Sequence, residues 1–220
     1  MDKYASFEHL RQKEREGESY RIRIRKGNRL IAIIAPHGGA IEPGTSEIAE
    51  AIAGCDYTLY CFEGIKAAHN FEMHITSAAF DEPFGVSIVK NARLVIAVHG
   101  CSGDNEVVYV GGRDSELKER ICAALLNAGF PAEECSRPDL RGTDPQNICN
   151  RGLRGAGVQF EISKGLRRTM LNYRKNGAGP IKTALFHHFV RVLRGVLADI
   201  LERDSCRASE GHRRETPNFT

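Results

Sequence analysis

Leu30-Ile31-Ala32-Ile33-Ile34-Ala35-Pro36-His37-Gly38-Gly39-Ala40-Ile41-Glu42-Pro43-Gly44-Thr45 is the stretch from which the fold can be read. Its first six residues are apolar, a run long enough for a strand buried on both faces. Pro-His-Gly-Gly then breaks the run, because glycine lets the backbone turn sharply or approach a ligand closely. His37 and Glu42 fall in that turn, just past the strand's C-terminal end. Thr45 opens Ser46-Glu47-Ile48-Ala49-Glu50-Ala51-Ile52-Ala53-Gly54, which reads as a capped amphipathic helix ending at glycine. Open α/β sheets bind their ligands beyond the C-terminal ends of such strands.

A single His and Glu near a turn are ordinary surface residues, but here the pattern recurs. Arg93-Leu94-Val95-Ile96-Ala97-Val98 is a second apolar run, and it too ends in His-Gly, at His99-Gly100. A third, Gly157-Val158-Gln159-Phe160, delivers Glu161 at or near a strand end before Lys164-Gly165-Leu166-Arg167-Arg168. Parallel strands of one sheet bring their C-terminal ends to a common edge, so His37, Glu42, His99 and Glu161 could meet there. Two imidazoles and a carboxylate form a catalytic zinc ligand set with a position left open for water. A second carboxylate can take that water's proton.

The chain has 220 residues, 41% of them hydrophobic, which suffices for one sizeable core and makes a single domain the expectation. No apolar run approaches a membrane span, and Met1-Asp2-Lys3-Tyr4 carries no signal-peptide core, so no membrane partner and a cytoplasmic location are expected. Seven cysteines, without a Cys-x-x-Cys pair, point to reduced and partly buried thiols rather than a disulfide framework. A net charge of +3 from scattered basic residues admits an anionic substrate and gives no footprint for nucleic acid.

Along the chain, residues 5–19 are highly charged and read as a solvated helical lead-in. Tyr20-Arg21-Ile22-Arg23-Ile24-Arg25 alternates as a half-exposed strand, and Lys26-Gly27-Asn28-Arg29 should turn it into a hairpin with strand 30–35. Tyr57–Phe62 reads as the next strand, His74–Ser77 as a short one, and Pro83–Lys90 as a helix. Strands at 93–98 and 107–112 precede a helix capped at Asp114 and running to Asn127. Residues 131–156 hold arginines 137, 141, 151 and 154 with little periodicity, and so long a connection suggests a substrate loop. Strand 158–162, a short helix and the amphipathic pattern 181–201 complete a domain ending at 202. The polar tail 203–220 is expected to be disordered.

These residues carry a resemblance. His37-Gly38-Gly39-x-Ile41-Glu42-x-Gly44-Thr45-x-Glu47-Ile48-Ala49, His74-Ile75-Thr76-Ser77-x-x-Phe80-Asp81-Glu82-Pro83, Val98-His99-Gly100-Cys101 and Asn147-Ile148-Cys149-Asn150-Arg151-Gly152 together resemble the bacteriophage-type poly-γ-glutamate hydrolases. The likeness covers roughly residues 18–200. That family is similar to zinc carboxypeptidases, so the resemblance implies a mixed, mostly parallel sheet flanked by helices. It implies His37, Glu42 and His99 as zinc ligands, Glu161 as the catalytic carboxylate, and poly-γ-glutamate or another γ-glutamyl anion as substrate. The gap from His37 to Glu42 is longer than in the carboxypeptidases, which limits transfer to the ligands and the base.

Arg151, Arg154 and Arg141 are candidates for the polymer's α-carboxylates, since guanidinium forks match carboxylates. His74 reads as a hydrogen-bonded structural histidine, Tyr109 as a weak candidate hydroxyl donor, and Cys101 as an alternative nucleophile. Three other functions compete: a zinc amidase or deacylase of small acyl-amino acids, a cysteine amidohydrolase, and a binding protein without chemistry.

Overall fold

The computed structural model describes residues 2–173 and 179–214, the side chains of 204–214 excepted. Its elements in chain order are α1 (Phe7–Arg11), β1 (Tyr20–Arg25), β2 (Asn28–Gly39), α2 (Thr45–Ala53), β3 (Tyr57–Gly64), α3 (Pro83–Lys90), β4 (Leu94–Cys101) and β5 (Val108–Gly112). There follow α4 (Ser115–Asn127), β6 (Ala132–Glu134), β7 (Val158–Ser163), α5 (Lys164–Met170), β8 (Leu171–Asn172), β9 (Ile181–Lys182) and α6 (Ala184–Arg214). Seven strands form one sheet in the order β1-β3-β2-β4-β7-β5-β6, and β8 and β9 pair separately. β2 runs parallel to β3 and β4, β4 to β7, and β5 to β6; the β1–β3 and β5–β7 pairs are antiparallel.

The apolar run of β2 is buried on both faces because the sheet is the middle of three layers. Ile31, Ile33 and Ala35 join α2, α4 and α6 in one core, through Ile48, Ile52, Ile121, Leu125, Phe189 and Leu193. Ala32 and Ile34 point the other way, into a smaller core with Phe7, Leu10, Phe62, Phe80 and Val89. Period-two alternation in a strand thus serves two cores at once.

Three expectations are corrected. The hairpin of β1 with β2 does not form: both edges of β2 are taken by β3 and β4, and β1 lies antiparallel on the outer edge of β3. The link crosses the start of β3 closely, since a Cβ on Gly27 would lie 2.6 Å from the Tyr57 carbonyl carbon. Residues 74–77 are not a strand; their polar groups are used by side chains, Asp2 accepting from the Thr76 N–H (2.6 Å) and the Ile75 carbonyl meeting the His37 ring (2.8 Å). The charged lead-in has a single short helix, α1, and it buries Phe7 and Leu10 instead of standing free in solvent.

The backbone of α6 is helical through Arg214, beyond the boundary expected at 202, and residues 215–220 lie outside the described residues. Among the described residues no helix is long and apolar enough to cross a membrane. The cysteines with described side chains are free.

Candidate metal centre

The C-terminal ends of β2, β4 and β7 are neighbours in the sheet, and their polar residues meet there. β2 carries an extra residue between Ala35 and Gly38 relative to β3, a bulge at Pro36-His37. A bulge tolerates a proline without an N–H and re-aims the neighbouring side chain, here His37. The chain then turns through Gly39 (φ 61°) and Gly44 (φ 100°), left-handed conformations in which glycine carries no steric penalty. Thr45 Oγ1 donates to the Glu42 carbonyl (2.8 Å), and the Glu42 N–H donates to the His37 carbonyl (3.0 Å). The loop therefore folds Glu42 back onto His37.

His37, Glu42 and His99 are all buried, and one ligand atom from each lies within 4.8 Å of the others. His37 Nδ1 is 3.2 Å from Glu42 Oε1 and 3.0 Å from His99 Nδ1. The Gly100 N–H donates to Glu42 Oε2 (2.8 Å) and fixes that carboxylate. Burial lowers the proton affinity of His37, but the Glu42 charge more than offsets it and raises the imidazole above its ordinary value. Burial works against the Glu42 charge as well, yet the nearby His37 holds its carboxyl down at about 2. Burial and the neighbouring imidazole push His99 down to about 3, so it stays neutral with a lone pair to offer.

A buried carboxylate, a neutral imidazole and an imidazole that prefers a positive charge thus converge on one point. The donor set suits a zinc-sized divalent cation, which is bound by deprotonated ligands.

Around the triad, the His74 ring packs on His37 with centroids 3.9 Å apart, and its Nδ1 lies 2.9 Å from Asp2 Oδ1. Glu161, 5% exposed, receives a hydrogen bond from Gln159 Nε2 (2.9 Å). Burial, then the negative Glu42, raises the Glu161 carboxyl well above its ordinary value. These groups open onto a cavity of about 870 Å³, walled on one side by Phe71, His74 and Ser77 and on the other by residues 137–145.

The structure brings His37, Glu42, His99 and Glu161 to one edge of this cavity, and Arg141 lines it together with Arg137. Arg151 and Arg154 do not line it. The Arg151 guanidinium donates to the carbonyls of Ser77 (3.1 Å) and Phe80 (2.6 Å), behind the cavity wall. Arg154 pairs with Asp114 at the N-cap of α4 (2.7 Å). Tyr109 is not among the lining residues, although it is the register partner of Glu161. Cys101 does line the cavity, but burial and the nearby Glu161 push its thiol up to about 11, so it stays protonated. A neutral thiol is a poor nucleophile.

Sequence reasoning missed three residues. Arg167 is buried and joins three segments, donating to the carbonyls of Pro43, Cys101 (3.1 Å) and Ile162 (3.0 Å). Asp2 holds His74 across more than seventy residues of chain. Gln159 looked like a mere strand residue, although its place two positions before Glu161 puts both on one face of β7.

Comparison with known proteins agrees with this architecture. Residues 4–192 match the family described as poly-gamma-glutamate hydrolase. The SPbeta prophage-derived protein YoqZ of Bacillus subtilis is 39% identical over 194 residues, 87% of this chain and 70% of the relative. The solved structure of a bacteriophage poly-gamma-glutamate hydrolase superposes with a TM-score of 0.87 at 32% identity, covering 92% of this chain and 99% of that one. YndL in its zinc-free apo form gives 0.84 at 32% identity, covering 90% and 98%. With the match spanning all three strand ends and the cavity walls, the chain belongs to the poly-gamma-glutamate hydrolase family.

Proposed function

We propose that the protein hydrolyses γ-glutamyl amide bonds of poly-γ-glutamate, with zinc held by His37, Glu42 and His99. The observation that carries the reading is the convergence of these three buried donors beside a second buried carboxylate, Glu161, at the edge of a large cavity. Bound there, zinc supplies a Lewis acid for the amide carbonyl and lowers the pKa of water.

The remaining chemistry belongs to the chain. Glu161 stands in a buried site that favours its protonated form, so it suits a residue that accepts a proton from water and returns it to the leaving amine. Burial of His37, His99 and Glu161 keeps bulk water out and strengthens each charge interaction. Arg137 and Arg141 on the cavity wall suit the free α-carboxylates that a γ-linked chain presents at every residue.

A Glu161→Gln protein tests the role of this second carboxylate. It should keep zinc and bind the polymer, while turnover falls by roughly 10²–10⁴-fold, the usual contribution of a general acid–base group. Wild-type protein that binds polymer without cutting it would make the chain a binding protein.

A further inference from the structure

Gln159 is buried, at 4% exposure, and both polar atoms of its side-chain amide are hydrogen-bonded. Nε2 donates to Glu161 Oε1 (2.9 Å) and to the Leu140 carbonyl (3.1 Å). Oε1 accepts from Asn147 Nδ2 (2.8 Å). These partners fix the orientation of the amide, since the flipped form would aim its oxygen at a carboxylate and at a carbonyl. Glu161 Oε1 is held in this way, while Oε2 has no hydrogen bond among the described residues.

Leu140 and Asn147 belong to the cavity wall that also contains Arg137 and Arg141. That wall is pinned to the same amide by packing: Gly142 lies with φ 59°, and a Cβ there would come 3.0 Å from the Gln159 amide carbon. Asn150 adds hydrogen bonds to the Gly142 and Asp144 carbonyls, 2.8 Å each. Wall and carboxylate are therefore joined through one buried side chain whose hydrogen bonds go to Leu140, Asn147 and Glu161, and to no member of the metal triad among the described residues.

We infer that Gln159 is the positioning residue for Glu161, fixing its carboxylate in register with the wall that receives the substrate. The inference rests on the reading of Glu161 as the proton carrier. An unheld carboxylate at a strand end can rotate away from its target, and misplacement by about 1 Å costs on the order of 10²-fold in rate. A donor on one oxygen leaves the other to face the reacting water.

A double-mutant cycle on poly-γ-glutamate hydrolysis tests this, using Gln159→Met, Glu161→Gln and the combination. Gln159→Met should lower kcat by roughly 10- to 100-fold, with a smaller change in KM and zinc content unchanged. In the Glu161→Gln background the same substitution should cost nothing more, because its effect passes through Glu161. An equal loss in both backgrounds overturns the inference and leaves Gln159 a structural residue. Full activity of Glu161→Gln alone would instead sink the proton-carrier reading beneath it.

Should Gln159→Met fail to fold, Asn147→Asp serves in the same cycle. It keeps an oxygen to cap the Cys149 N–H (3.1 Å) and turns the donor facing Gln159 Oε1 into an acceptor, which breaks that hydrogen bond and sets two oxygens against each other. A rate unchanged in Asn147→Asp, or reduced equally with and without Glu161, overturns the inference.

Discussion

His99 and Glu161 are register partners on adjacent parallel strands, β4 and β7. Paired positions on neighbouring strands point their side chains to the same face. The imidazole proposed as a metal ligand and the carboxylate proposed as proton carrier are thereby set side by side by the sheet itself, with no loop involved. Sites built on strands are held more rigidly than sites built on loops. Glu42, by contrast, reaches the centre from a turn and needs the Gly100 N–H to hold it.

The first prediction follows from that contrast. His99→Ala removes a neutral donor from a rigid strand; His74, held by Asp2 through Nδ1 and with Nε2 3.9 Å from Glu42, stands outside the His37–Glu42–His99 group. Zinc measured by elemental analysis after dialysis should fall well below one per chain, with loss of hydrolysis. One retained zinc and a near-normal rate would remove His99 from the ligand set.

The arginines separate by where they stand. Arg141→Ala should raise KM more than it lowers kcat, and added salt should weaken wild-type binding by screening exposed charge. Arg151→Ala should act on stability, because its guanidinium bridges the Ser77 and Phe80 carbonyls. A loss of roughly 1–3 kcal/mol is expected for such charged hydrogen bonds, read as a lower melting temperature. A raised KM with an unchanged melting temperature for Arg151→Ala would return that residue to the substrate site.

Acid stability should depend on Glu63, which is buried on β3 between Arg21 (2.5 Å) and Arg23 (2.9 Å). Burial raises its carboxyl, but the hydrogen bonds of Arg21 and Ser46 and the charge of Arg23 more than offset this and hold it below the ordinary value. A depressed folded-state pKa adds stability that is present above the unfolded pKa, near 4.5, and lost as pH falls through the folded value. Glu63→Gln should therefore melt below wild type at pH 7, with the gap closing as pH falls below about 4.5. A gap that stays constant to pH 3 would contradict the role of these pairs.

Much of the site was legible because its signals are local. An apolar run followed by His-Gly announces a strand end, and it does so at His37 and again at His99. The helices α2, α3 and α4 were equally plain, although only α3 and α4 have side-chain caps, at Glu82 and Asp114; the cap expected for α2 is absent, its N-cap being Gly44. Pairing was not, because the alternation of Tyr20–Arg25 shows that one face is wet without saying which edge it joins. Only the double occupation of β2 forces β1 onto β3. The arginines were illegible for a related reason: Arg151 finds its carbonyl partners more than seventy residues away, and Asp2 finds His74 at a similar distance. Long-range polar contacts leave no periodicity in the sequence.

The most direct test of the central claim is the hydrolysis rate on defined γ-linked and α-linked glutamate oligomers of equal length, before chelation, after chelation and after zinc is restored. The account predicts cleavage of the γ-linked oligomer alone, lost with the chelator and regained with zinc. Undiminished cleavage after verified removal of metal, or equal rates on both linkages, would contradict it.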